Sequence, residues 1–179
     1  MKRSMSVWPA SLVVALAPSL ALSQEPTKVG FIYFGPVNGA GWTYQHDLGR
    51  QEMQKALGNR VSVQTVPNTS EGPDGERVAR ELSADGAKVI FAVGFGYMRE
   101  VLRVARENPD KCYATASAYM TGPKASGYNA KWQESGYLAG LVAGKMRKAN
   151  HIGFVGASPV PDVLLSLQGL VQGTRSVKP

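Results

Sequence analysis

The stretch Lys28–Leu57, KVGFIYFGPVNGAGWTYQHDLGRQEMQKAL, decides the architecture of this chain. Val29, Phe31, Ile32, Tyr33 and Phe34 form a short run rich in β-branched and aromatic residues, the pattern of a strand covered on both faces. Gly35-Pro36 stops that run, since proline donates nothing to a sheet ladder. Asn38, Gly39 and Gly41 supply a tight turn. A helical pattern opens at Trp42 and closes at Gly58-Asn59. In an open α/β sheet, such a strand–loop–helix places its loop at the carboxyl end of a strand, where ligands bind. Trp42 is then a large aromatic at the mouth of a candidate site.

Working outward, Arg60–Val66 alternates and reads as a second strand, followed by the turn-rich PNTSEGPDG. A second helix starts near Pro73-Asp74, with Asp74 and Glu76 suiting its positive end, and runs to about Ser83. Lys88–Val93 is a continuous apolar run and a third strand. Gly94-Phe95-Gly96 is a short glycine loop, and Tyr97–Glu107 a helix ended by Asn108-Pro109, with Met98, Val101, Leu102 and Ala105 on one face. Lys111–Ala116 and Ser126–Ala130 read as strands, Trp132–Lys148 as a long helix, His151–Val155 as a strand and Val160 to about Ser176 as a helix. Strands alternating with helices predict βαβ units, a parallel sheet and helices on both faces.

Two features bear on organisation. In the Trp132 helix, Gly136, Gly140 and Gly144 form one small-residue row and Ser135, Ala139 and Ala143 another. The helix is too short and too charged at its ends for a membrane span, so close packing in a soluble core is expected. Lys28-Val29-Gly30-Phe31-Ile32 and His151-Ile152-Gly153-Phe154-Val155 also share a pattern, and Pro36-Val37 matches Pro159-Val160 at the same offset. The repeat is either chance likeness of two buried strands or the opening of a second α/β lobe near His151.

The 179 residues suffice for one domain with a substantial core. Residues 1–23 read as a secretory signal: Lys2 and Arg3, an apolar Val7–Leu22 broken by Pro9 and Pro18, then Ala21-Leu22-Ser23. The formal charge of +7 is spread along helices. The one dense run, Lys145-Met146-Arg147-Lys148, suits a helix carboxyl end, and no basic patch with interleaved aromatics points to nucleic acid. The single Cys112 can form no internal disulfide. No cysteine stands at the cleavage site to carry a lipid, so a free, exported protein is expected.

Catalytic signatures are missing. There is no phosphate-binding GxxxxGK motif and no GxSxG elbow. The nearest dinucleotide fingerprint, Gly39 to Tyr44, has tyrosine in place of its third glycine, and no acid ends the second strand. His46 and His151 lack partners at metal-ligand spacing, and His46-Asp47 reads as a solvated pair. What is present suits binding. Trp42, Phe95, Tyr97 and Trp132 lie near loop–helix junctions, and Asn38, Ser117 and Asn129 near strand ends. Flat aromatics with amide side chains can stack on a planar ring and pair with its edges.

The runs GFIYFGPVNGAGWTYQHDLGR, VIFAVGFGYM, GYNAKWQESGYLAGLVAGKM and HIGFVGASPVPDVLLSLQGLVQGTRSVKP resemble the basic membrane protein family of ABC-transporter substrate-binding proteins, similar to bacterial purine-nucleoside receptors. The resemblance covers Thr27–Pro179 in order. It implies a type I periplasmic-binding fold with two Rossmann-like lobes, no catalysis, no cofactor and no metal. It also implies a purine-like small-molecule ligand handed to a membrane ABC permease, a periplasmic or otherwise extracytoplasmic location and a monomer. On this reading 24–149 is the first lobe and 150–179 the beginning of the second, with the rest of that lobe missing.

The family's aromatic clamp falls on Trp42, its polar first-loop residue near Asn38 and its post-strand contact on Gly94, Phe95 and Gly96. Ser117 and Asn129 complete the expected ligand set. The nucleoside receptors also use carboxylates, including one near the end of the fourth strand, where this sequence has Ala116-Ser117. A nucleobase or another flat polar solute is thus as consistent as a nucleoside. The alternatives are an exported α/β enzyme acting on nucleosides or sugars, and a receptor fragment that does not bind.

Overall fold

The computed structural model describes residues 25–177. The signal segment expected over 1–23 lies outside them. Five parallel strands, β1 (Thr27–Tyr33), β2 (Val61–Val66), β3 (Val89–Val93), β4 (Cys112–Ala116) and β5 (Ala125–Tyr128), lie in the order β2-β1-β3-β4-β5. Their register runs Thr27 to Val61, Val29 to Val89, Val89 to Cys112 and Tyr113 to Ala125. The helices are α1 (Trp42–Leu57), α2 (Pro73–Ala84), α3 (Met98–Glu107), α4 (Trp132–Met146) and α5 (Pro161–Val177).

Alternation along β1 divides the core. Ile32 joins Val78, Ala79, Leu82, Ile90, Val101 and Val104 on the face covered by α2 and α3. Gly30 points the same way, where a Cβ would come within 2.9 Å of Leu82 Cδ1, so α2 rests directly on the strand. Val29, Phe31, Tyr33 and Val93 form the opposite layer, with Trp42 and Met53 of α1 against it. Phe31 stacks on Phe91 at 4.8 Å between ring centroids. The expected strand included Phe34, but it follows β1 and is exposed, because the Gly35-Pro36 turn lifts it off the ladder.

α1 has no side-chain cap; Gly41 precedes it at φ 99°, a conformation that glycine alone adopts without strain. Behind it, Asp47 is buried, which overturns the expected solvated pair. Its carboxylate accepts from Arg50 Nε at 2.6 Å, Gln51 Nε2 at 2.7 Å and the Tyr33 hydroxyl at 3.3 Å. The Arg50 hydrogen bond holds this carboxyl below the usual carboxylate range against the opposing pull of burial, with Gln51 adding to it.

α4 and α5 pack on each other in parallel. The row Gly136, Gly140, Gly144 lies against Ser166, Leu170 and Thr174 of α5, and Gly169 and Gly173 of α5 lie against Gln133 and Tyr137 of α4. A methyl group at Gly140 would strike the Leu170 carbonyl, so the small residues are what let the backbones touch. The expected second row faces elsewhere: Ser135 and Ala139 are exposed. Between these helices, His151–Val155 forms no strand, contrary to expectation. A strand needs a neighbour to share its ladder, and among the described residues these five have none; Val155 is fully exposed.

Candidate functional site

The crossovers leave β1 in opposite directions, to β2 on one side and to β3 on the other. This switch point opens a crevice beyond the strands' carboxyl ends, the place where open α/β sheets take ligands. A hollow of about 440 Å³ lies there, within the range of small-molecule sites. Its near wall carries Phe34 after β1, Trp42 of α1, Glu71 after β2, Gly94 and Phe95 after β3, Ser117 after β4 and Trp132 of α4. Its far wall comes from Ala157, Ser158 and Val160 and the first turns of α5, with Asp162, Val163 and Ser166. No Lys, Arg or His is among these lining residues. A larger hollow, about 480 Å³, lies at the amino ends of the strands against Val29, Met53, Leu57, Val89 and Phe91, a mostly apolar wall.

The aromatic face of the site is a pair. Trp42 and Trp132 stack at 5.7 Å between centroids with 29° between planes. His46 lies beside Trp42 at 4.5 Å, and its Nδ1 meets the Trp42 carbonyl oxygen at 2.9 Å. Tyr128, behind them, has its phenol pushed up to about 12 by burial. Trp42 Nε1 is buried without a hydrogen-bond partner among the described residues, a cost of about 1–3 kcal/mol unless an acceptor arrives.

The other candidates separate. Asn38 is exposed and does not line the hollow. Gly94 and Phe95 line it, whereas Gly96 does not; instead its backbone N–H donates to Glu71 Oε1 at 2.8 Å. A Cβ at Gly94 would come within 2.6 Å of that same oxygen, and one at Gly96 would also strike the carboxylate. The two glycines thus make room for Glu71, a residue the sequence reading missed because nothing in its turn-rich loop marks it. Tyr97 is fully buried, its hydroxyl donating to the Thr69 carbonyl at 2.5 Å, so it is a core residue that anchors this loop.

Ser117 is buried at φ 63°, a strained backbone for serine. Its hydroxyl donates to Asp162 Oδ2 at 2.5 Å. Asn129 is exposed and lies against the adjoining hollow shared with Trp42, His46 and Tyr128. Its Nδ2 donates to Asp162 Oδ1 at 2.6 Å, and its Oδ1 accepts from Trp132 Nε1 at 2.7 Å. Asp162 was missed as well, although an acid just after Pro161 at a helix start is a recognisable signal. Among the described residues no group of three or more His, Cys, Asp or Glu is placed to hold a metal, and no helix is long and apolar enough to cross a membrane.

The family described as ABC transporter substrate-binding protein, PnrA-like, matches residues 26–179. A purine-binding protein of Brucella abortus is 41% identical over 159 residues, covering 89% of this chain and 45% of its own length. A protein of Haloferax volcanii, whose name proposes a glucose-binding role in an ABC transporter, is 30% identical over 87% of this chain and 39% of its own. The chain thus spans less than half the length of these two relatives. Among solved structures, an ABC transporter solute-binding protein from Conexibacter woesei superposes with a TM-score of 0.65 at 27% identity, over 86% of this chain and 51% of its own.

Proposed function

The chain belongs to the PnrA-like family of ABC transporter substrate-binding proteins, and from that premise we propose that its crevice takes a flat, polar, uncharged or cationic solute of the purine type, as nucleobase or nucleoside, for an importer. The observation that carries this reading is the pair of indoles at the switch-point hollow, with one indole N–H left without an acceptor. A purine offers what that face lacks: a planar ring to lie against an indole and in-plane nitrogens to accept its N–H. Glu71 lies beside the same hollow as an acceptor for an exocyclic amine. A wall with two carboxylates and no cation disfavours phosphorylated forms.

The purine-binding name of the Brucella relative supports this class. In this reading the chain acts outside the cytoplasm, as a monomer, carries out no chemistry on its ligand and passes it to a membrane permease. The lobe boundary near residue 150 belongs to the same proposal.

Thermal-shift titration of the 179-residue chain with adenine, adenosine, adenosine monophosphate and glucose tests it. Stabilisation grows with the ratio of ligand concentration to Kd. The expected order is adenine or adenosine well above the monophosphate, with glucose flat. A response to glucose alone favours the sugar class suggested by the Haloferax relative, and a flat response to all four rejects binding by this length of chain.

A further inference from the structure

One carboxylate ties together the polar groups on the rim of the hollow. Asp162, in the first turn of α5, spends Oδ2 on the Ser117 hydroxyl and Oδ1 on Asn129 Nδ2. These bonds run between three separate elements, the end of β4, the segment after β5 and α5. Charge-assisted bonds of this length are the strong ones.

The arrangement also fixes an orientation. With its Nδ2 on Asp162, Asn129 turns Oδ1 toward two donors, Trp132 Nε1 at 2.7 Å and the Ala130 N–H at 2.9 Å. A flipped amide would set its NH₂ against both of those donors and its oxygen against the carboxylate. The Asp162 carboxylate therefore selects the amide orientation, and the amide in turn holds the indole that lies on Trp42. Ser117, strained at φ 63°, is held by its N–H on the Tyr128 carbonyl at 2.8 Å and by Asp162.

We propose that Asp162 is a positioning residue of the site: through Ser117 it docks the start of α5 on the strand ends, and through Asn129 it sets the plane of the Trp132 indole. Ser117 and Asn129, expected from the sequence to touch ligand, both bond Asp162. The ligand side of this inference rests on the purine reading; the indole side does not.

Two stacked indoles give an exciton couplet in far-ultraviolet circular dichroism, and Trp8 is common to every variant and cancels in difference spectra. In the full chain, Trp132→Phe removes the couplet and so assigns it. Asp162→Ala is expected to remove it too and to weaken adenine binding about tenfold, the scale of a misplaced binding group. Asp162→Asn is expected to recover both, since its carboxamide can accept from Asn129 and donate to a rotated Ser117 hydroxyl.

Absence of the couplet in the parent chain overturns the proposal. So does a couplet in Asp162→Ala equal to the parent's, whatever happens to adenine, and so does an Asp162→Asn variant that behaves like the alanine. If adenine fails to bind the parent chain while the couplet still follows Asp162, the positioning role stands and the purine reading falls. Should Asp162→Ala not fold, Asn129→Ala carries the same test: loss of the couplet supports the relay, and its persistence overturns it.

Discussion

The sheet region, 27–128, and the helical region, 132–177, solve their packing problems in opposite ways. In the first, every strand has a neighbour, and apolar residues from three helices fill both faces. In the second, two parallel helices are joined backbone to backbone through glycines, while the 151–155 segment between them joins no strand ladder among the described residues. The first region is held by buried area, which is forgiving of detail. The second is held by close approach, which tolerates no added atom along one line. Between them stand the Trp42–Trp132 stack and the Asp162 bonds, so the candidate site lies where the two meet.

The largest expected effect is in the sheet region. Asp47→Ala leaves Arg50 without its ion-pair partner and the buried Tyr33 hydroxyl without an acceptor, and should cost about 3 kcal/mol in denaturant unfolding. The same carboxylate adds a pH dependence of known sign. Its folded-state pKa is depressed, so its contribution is complete above the unfolded value, about 3.9, and is lost as pH falls through the folded value. Acid titration of Asp47→Asn should show a shallower loss than the parent; parallel curves would contradict the assignment.

Next in size is Gly140→Val, which drives a side chain into the Leu170 carbonyl and should cost about 2 kcal/mol. Hydrogen exchange is the sharper readout. Protection should fall across 132–177 and hold across 27–128, and a uniform loss would show that the two regions unfold as one unit. Smaller still is Trp42→Phe, which keeps a ring but deletes the orphaned N–H. It should leave unfolding unchanged or raise it by about 1 kcal/mol while weakening adenine several-fold by calorimetry. Equal affinity would remove that N–H from recognition. At the bottom of the scale, Cys112→Ser should stay within about 0.5 kcal/mol of the parent, because this cysteine is exposed at the start of β4; a native-state thiol assay should count it in full.

The same contrast explains what could be read in advance. The first strand and helix were legible because their signals are local: an apolar run, a Gly-Pro stop, an amphipathic pattern from Trp42. The alternation of strands and helices through β5 followed from the same kind of evidence. His151–Val155 carries the same local signal as β1, yet whether it becomes a strand depends on a partner that no local pattern supplies. Asp47 failed for a related reason, since its burial is decided by the contact of α1 with Tyr33 of β1, which no local pattern announces. In the site, the aromatics were visible as types, and Trp42 and Phe95 do line the hollow. That Ser117 and Asn129 are taken up by Asp162 depends on a contact more than thirty residues away.

The ladder order has a kinetic consequence. β1 sits between β2 and β3, and its register partners are Val61, reached after one helix, and Val89, reached after two. None of these pairings can nucleate as a hairpin, so assembly must wait on distant encounters and runs slowly for a chain of this size. Under the extracytoplasmic role proposed above, that delay would serve a polypeptide threaded through a translocation channel before it collapses.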